Sequence, residues 1–137
     1  MKKNILLASC LILSATALLA EQDTALEKQM QLLSRGMKQL SAQITDPARQ
    51  QDTVTLIESL KQAAMTSKGL EPSKTSSIPQ ADREKFLSEY RAQIEKLSDA
   101  FDKIEDSVKT GKYDQAKSLM TAIGPIKKEG HSKFKQD

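Results

Sequence analysis

The chain has one cysteine, one histidine and no tryptophan in 137 residues. A single Cys excludes an intramolecular disulfide framework and a multi-cysteine zinc site. A single His excludes a paired-histidine metal motif of the His-Glu-x-x-His kind. Five glycines and four prolines are too few for an all-β protein full of tight turns. Aromatics make up only 4%, and the 38% hydrophobic share is low for a membrane protein. Ala, Leu, Gln, Lys, Glu and Ser dominate instead, which is the composition of a helix bundle. The length fits one domain.

The first twenty residues read as an address rather than as part of the fold. Lys2 and Lys3 make a short basic start, an apolar run follows from Ile5 to Ala20, and Glu21-Gln22-Asp23 opens polar sequence. This is the layout of an export signal peptide with cleavage expected after Ala20; Ala17 is the alternative. An uncleaved anchor would need an apolar stretch of about 20 residues, and this run is shorter. Leu7-Ala8-Ser9-Cys10 resembles a lipoprotein cleavage box, but lipidation of Cys10 would leave a long apolar run stranded behind it. The expected domain is therefore residues 21–137, in the periplasm.

Removal of residues 1–20 takes two lysines and no acid, leaving 19 basic against 18 acidic residues, a net +1. Nucleic-acid binding has no electrostatic support at that balance. The mature chain also has no Cys, so covalent haem attachment through Cys-x-x-Cys-His is excluded.

Four periodic stretches follow. Leu26, Met30, Leu33, Met37, Leu40 and Ile44 recur at spacings 4, 3, 4, 3, 4 and predict a helix over about 24–44. Gly36 within it faces away from the stripe or packs closely. Asp46-Pro47 opens a second helix with Val54, Ile57, Leu60 or Lys61, Ala64 and Met65 as its face, ended by Gly69. Residues 70–80, with two prolines and three serines, form the one long loop. Phe86, Tyr90, Ile94, Leu97, Phe101, Ile104 and Val108 stripe a third helix from about Ala81-Asp82 to Thr110, with Gly111 as its cap. Tyr113-Asp114 opens a fourth that reaches toward Lys135, with Ala116, Leu119, Met120, Ile123, Lys127, Gly130 or His131, and Phe134 along its face. Pro125 is expected to kink it. Four such helices bury their stripes together most simply as an all-α, antiparallel up-down-up-down four-helix bundle.

In that topology the start of the first helix and the end of the fourth share one end of the bundle. Met30 and His131 each lie about 8–9 Å from the terminus of their helix, at about the same level. A thioether facing an imidazole is an axial pair for haem iron. The competing reading makes Met30 core filler, like Met37, Met65 and Met120, and His131 a surface residue. The pocket walls at that end would be Leu26 and Leu33, Met65, Phe86, Tyr90 and Ile94, and Ile126 and Phe134, with Pro72 and Pro79 from the loop; ordinary core or rim is the competing role for each.

The C-terminal run Gly111-Lys-Tyr-Asp-Gln-Ala116, with Ile126-Lys-Lys-Glu-Gly-His-Ser-Lys-Phe-Lys135, resembles the end of the soluble cytochrome b562 family, and Ala25-Leu-Glu-Lys-Gln-Met30 with Leu33 resembles its start. That family is itself a known example of the up-down-up-down bundle. The resemblance implies one non-covalent haem b, with Met30 and His131 as iron ligands and Lys127, one turn before the histidine, near a haem propionate. Arg at that position would make the firmer, bidentate contact. Lys135 offers further charge one turn after. Gly124, Pro125 and Gly130 make this last helix less regular than the family pattern.

With both axial positions filled no substrate site remains, so a non-enzymatic electron carrier is expected, meeting redox partner proteins as a monomer, with no nucleic acid and no membrane contact after signal cleavage. The Asp and Glu side chains, among them Glu95, Asp99, Asp102, Glu105 and Asp106, are expected on solvated faces. A haem-free periplasmic helical chaperone or stress-adaptor is the alternative and would need an exposed apolar or Met-lined concavity. A copper site would need three or more close Met/His donors, and there is one His.

Overall fold

In the computed structural model the backbone of residues 12–135 and the side chains of residues 25–135 are described. Four α-helices follow in order: α1 (Ile12–Gln43), α2 (Gln50–Lys68), α3 (Arg83–Lys109) and α4 (Tyr113–Phe134). No strand occurs among the described residues. α1 packs on α2, α2 on α3 and α3 on α4, the ring order of an up-down-up-down bundle. The fourth side of the square is different: α1 and α4 make no comparable contact among the described residues. Helix α1 starts earlier than expected, inside the apolar run read as a leader. Lys2, Lys3 and Cys10 lie outside the described residues. Among the described residues no helix is long and apolar enough to cross a membrane.

The turns follow local chemistry. Asp46 accepts a hydrogen bond from the Ala48 amide at 3.0 Å, and Pro47 opens a single 3₁₀ turn that leads into α2. Helix α3 ends in a full Schellman motif. Gly111 takes φ +71°, its amide donates to the Val108 carbonyl at 3.1 Å, and the Lys112 amide donates to Ser107 at 2.8 Å. Gly69 also ends its helix, but in a right-handed conformation, so no positive φ is involved. The 70–80 loop is more ordered than its composition suggests: it holds 3₁₀ turns at Ser73–Ser77 and Gln80–Asp82. Arg83 ties it down, donating to the carbonyls of Ile78 at 2.9 Å and Ser76 at 3.3 Å. Helix α4 continues through Pro125.

Most stripe residues are buried as expected, from Leu33, Leu40 and Ile44 to Phe101, Ile104, Val108 and Ile123. Gly36 packs closely, because a Cβ there would stand 2.5 Å from Leu60 Cδ2. Three expectations fail. Met65 is 52% exposed, because it lies about 140° around α2 from buried Leu60, and Ala63 and Ala64 line the core instead. Glu105 is buried rather than solvated, at 7% exposure. It is one residue round from Ile104 and Phe101 on the core-facing arc, where Lys61 meets it at 2.8 Å and Lys109 pairs with it from one turn away. These cations hold its carboxyl below the usual range, and Lys61 is pushed above its own by Asp102 and Glu105. The third failure, on α4, concerns the site.

Candidate cofactor-binding site

The site is assembled from the flanks of α1 and α4. Gly36 rests against Leu60 and Leu56, and the Gln43 amide nitrogen donates to Thr53 Oγ1 at 3.1 Å, so that edge of α1 faces α2. Met30 and Met37, about 100° around the helix from Gly36, fall on the opposite edge. On α4 the edge facing α3 carries Ile126 and Gly130: the Gln93 side-chain amide donates to the Ile126 carbonyl at 2.8 Å, and Gln93 Cγ lies 3.4 Å from where a Gly130 Cβ would stand. His131, about 100° beyond Gly130, and Lys127 fall on the other edge. The free flank of α1 and the free flank of α4 border the same loosely packed seam.

The levels also agree. Antiparallel packing that sets Gly36 beside Leu60 brings Met30, six residues earlier, to the height of Thr66 and Ser67 on α2. The Ser67 carbonyl accepts a hydrogen bond from Tyr90 Oη at 2.7 Å. The Tyr90 ring stands edge-on to Phe134 with centroids 5.5 Å apart, and Phe86 meets the Phe134 ring at 5.3 Å. Phe134 is less than one turn from His131. A continuous chain of contacts therefore carries the height of Met30 across the bundle to the turn that bears the only histidine.

The expected wall residues divide. Leu33, Tyr90, Ile94 and Phe134 are buried in one core cluster, with Leu26, Met30 and Phe86 partly buried against it. Pro72 is buried in the loop and Pro79 is exposed. Ile126 is also partly buried, but on the α3 edge of its helix, beside Lys96, Asp99 and Ala100. Met65, turned outward, is not a wall. His131 and Lys127 are exposed rather than on the core stripe. The stripe of α4 passes through Ile126 and Gly130, because Gln93 draws that edge toward α3.

Exposure does not leave the imidazole as in free solution. Partial desolvation, then the positive charges of Lys127 and Lys135, hold His131 below its ordinary pKa. The neutral ring is the form with a lone pair to offer a metal. A thioether, a neutral imidazole and two nearby ammonium groups, at the edge of an apolar cluster, fit a flat apolar cofactor that carries iron and carboxylates. Among the described residues no three His, Cys, Asp or Glu side chains converge as a metal-binding group.

The sequence pattern did not single out Gln93 or Arg83, and it put Glu105 on a solvated face. Gln93 neighbours Ile94 in the stripe, and a polar residue at such a position signals a partner on the next helix.

The sequence pattern of the cytochrome b562 family matches residues 25–135. No curated protein and no solved structure matches the chain. The match spans all four helices from the first described side chain to the last, and it places this chain in the cytochrome b562 family of haem-binding electron-transfer proteins.

Proposed function

We propose that the chain is a periplasmic b-type cytochrome that holds one non-covalent haem between α1 and α4, where Met30 and His131 would be the donors to its iron. The observation that supports it is the sparse packing of α1 on α4 among the described residues, on whose flanks helix geometry puts Met30 and His131 at about one level. Haem bound there supplies a one-electron ferric–ferrous couple, and a thioether donor favours the ferrous side. The chain's own part is positional. Met30 and His131 would hold the iron from both sides and leave it no place for substrate, which would make the protein a carrier rather than an enzyme. Leu26, Leu33, Ile94 and Phe134 exclude water from the inner side. Lys127 and Lys135 present ammonium groups to carboxylates at the rim. The family is periplasmic, and the basic, apolar and polar order of residues 1–23 supports export, with cleavage after Ala20.

The haem-free chaperone reading requires a concave apolar surface. Leu32 and Met65 are the exposed large apolar side chains among the described residues, one on each of two helices, and scattered singles of this kind are ordinary. Titration of the purified protein with haemin tests the proposal. Uptake of one equivalent, with a sharp Soret band and resolved α and β bands after dithionite, is the expected result. Absence of stoichiometric uptake contradicts it.

A further inference from the structure

We propose that Gln93 is a positioning residue for His131: from α3 it clamps the turn of α4 that carries the ligand and so sets the direction of the imidazole. The inference rests on the haem reading above and adds to it a residue outside the ligand set.

The turn it grips is the weakest of α4 by sequence. Pro125 brings no amide, which leaves the Thr121 carbonyl without its usual helical partner. Gly124 and Gly130 lower helix propensity on either side. Within residues 124–131 Ile126 is the one apolar side chain packed against the core, so little there fixes the rotation of the helix about its axis at the place where rotation decides which way His131 points. The neighbouring helix supplies the restraint. Gln93 is only 7% exposed, and its amide nitrogen donates to the Ile126 carbonyl at 2.8 Å and reaches Glu129 Oε2 at 3.3 Å. A backbone carbonyl has two lone pairs, so Ile126 can accept from Gln93 and still accept from the Gly130 amide one turn on. Gly130 gives the side chain room there; even a Cβ would sit 3.4 Å from Gln93 Cγ and 3.9 Å from its amide nitrogen, in ordinary contact. Glu129 is steadied in turn by Lys133 at 3.4 Å and Lys96 at 3.9 Å. With the Gly130 edge pinned to α3, His131 is held about 100° away, toward α1.

Two variants and two readouts test this. Gln93→Leu keeps the bulk and removes the donor. Gln93→Asn keeps the amide but is one methylene too short to reach the Ile126 carbonyl. In the haem-free protein, Gln93→Leu should speed amide hydrogen exchange at Gly130 and His131 about five- to tenfold, the size of one lost buried hydrogen bond. Exchange over residues 116–123 should not change. In the haem-loaded protein both variants should weaken haem binding about tenfold or more and shift the reduction potential. Gly130→Ala, whose added methyl meets Gln93 in ordinary contact, should stabilise the helix and leave haem affinity within twofold. Lys96→Ala, which removes only the outer contact to Glu129, should leave haem affinity within twofold. If wild type takes up haem and both variants match its affinity, spectrum and potential, this inference falls alone. If wild type takes up no haem, it falls together with the functional reading, and the exchange data then show Gln93 as a helix clamp only.

Discussion

The two ends of the bundle are built differently. At the end where α1 gives way to α2 and α3 to α4, the core is sealed: Leu40, Ile57, Phe101, Ile104, Val108 and Ala116 are completely buried. Polar groups there are tied across helices, as when the Gln50 side-chain amide donates to the Val108 carbonyl at 2.7 Å. At the end closed by the 70–80 loop, Leu26, Met30, Phe86 and Ile126 are only partly buried. One fold thus separates two tasks. The sealed end supplies stability, and the loose end leaves Leu26, Met30 and Phe86 only partly covered. Uneven local stability of this kind is normal where a protein binds something.

The contrast can be broken at its strong end first. Phe101→Ala should cost about 3–5 kcal/mol, the loss of a fully buried aromatic plus the cavity left behind. Urea denaturation should show it as a lower midpoint with an unchanged slope. Next, Glu105→Gln should cost about 1–3 kcal/mol at neutral pH, because a charge-assisted acceptor for Lys61 and Lys109 is lost. The sign of its pH dependence follows from the lowered carboxyl pKa. The native state favours the ionised form, so the stabilisation is complete above the unfolded carboxyl pKa of about 4.3 and fades as pH falls through the lower folded value. Wild type and Glu105→Gln should therefore converge in acid; a constant gap down to pH 2–3 would contradict the ion-pair account.

Smaller effects sharpen the comparison. Gly111→Ala should cost about 1–2 kcal/mol, since an L-residue is strained at φ +71°, and thermal melts will read it. Leu26→Ala, at the loose end, should cost less than about 1 kcal/mol in the haem-free protein, because a half-exposed side chain has little burial to lose. Calorimetry should find a larger cost once haem is bound. Equal costs with and without haem would remove Leu26 from the site.

The helices were legible because their stripes are regular: spacings of 3 and 4 held through α1 and α3, and Asp46-Pro47 and Gly111 marked boundaries that the backbone respects. The stripes of α2 and α4 were harder to read. On α2, Met65 is apolar but one position too far round. On α4, a 3–4 spacing cannot decide between Gly130 and His131, and the choice is made by Gln93 on another helix. Burial of Glu105 was hidden for the same reason: its partner Lys61 is 44 residues away in sequence. Of the candidate site, the pair of helix termini could be read from topology, and the exposure of His131 and Lys127 could not.

The account's central claim is that Met30 and His131 act together across the seam between α1 and α4. Its most direct test is the reduced absorption spectrum of haem-loaded wild type beside Met30→Ala and His131→Ala. The account predicts a low-spin six-coordinate spectrum for wild type, its loss in both variants, and much weaker haem retention in His131→Ala. If either variant keeps the wild-type spectrum, that residue is not a ligand and the seam is not the site.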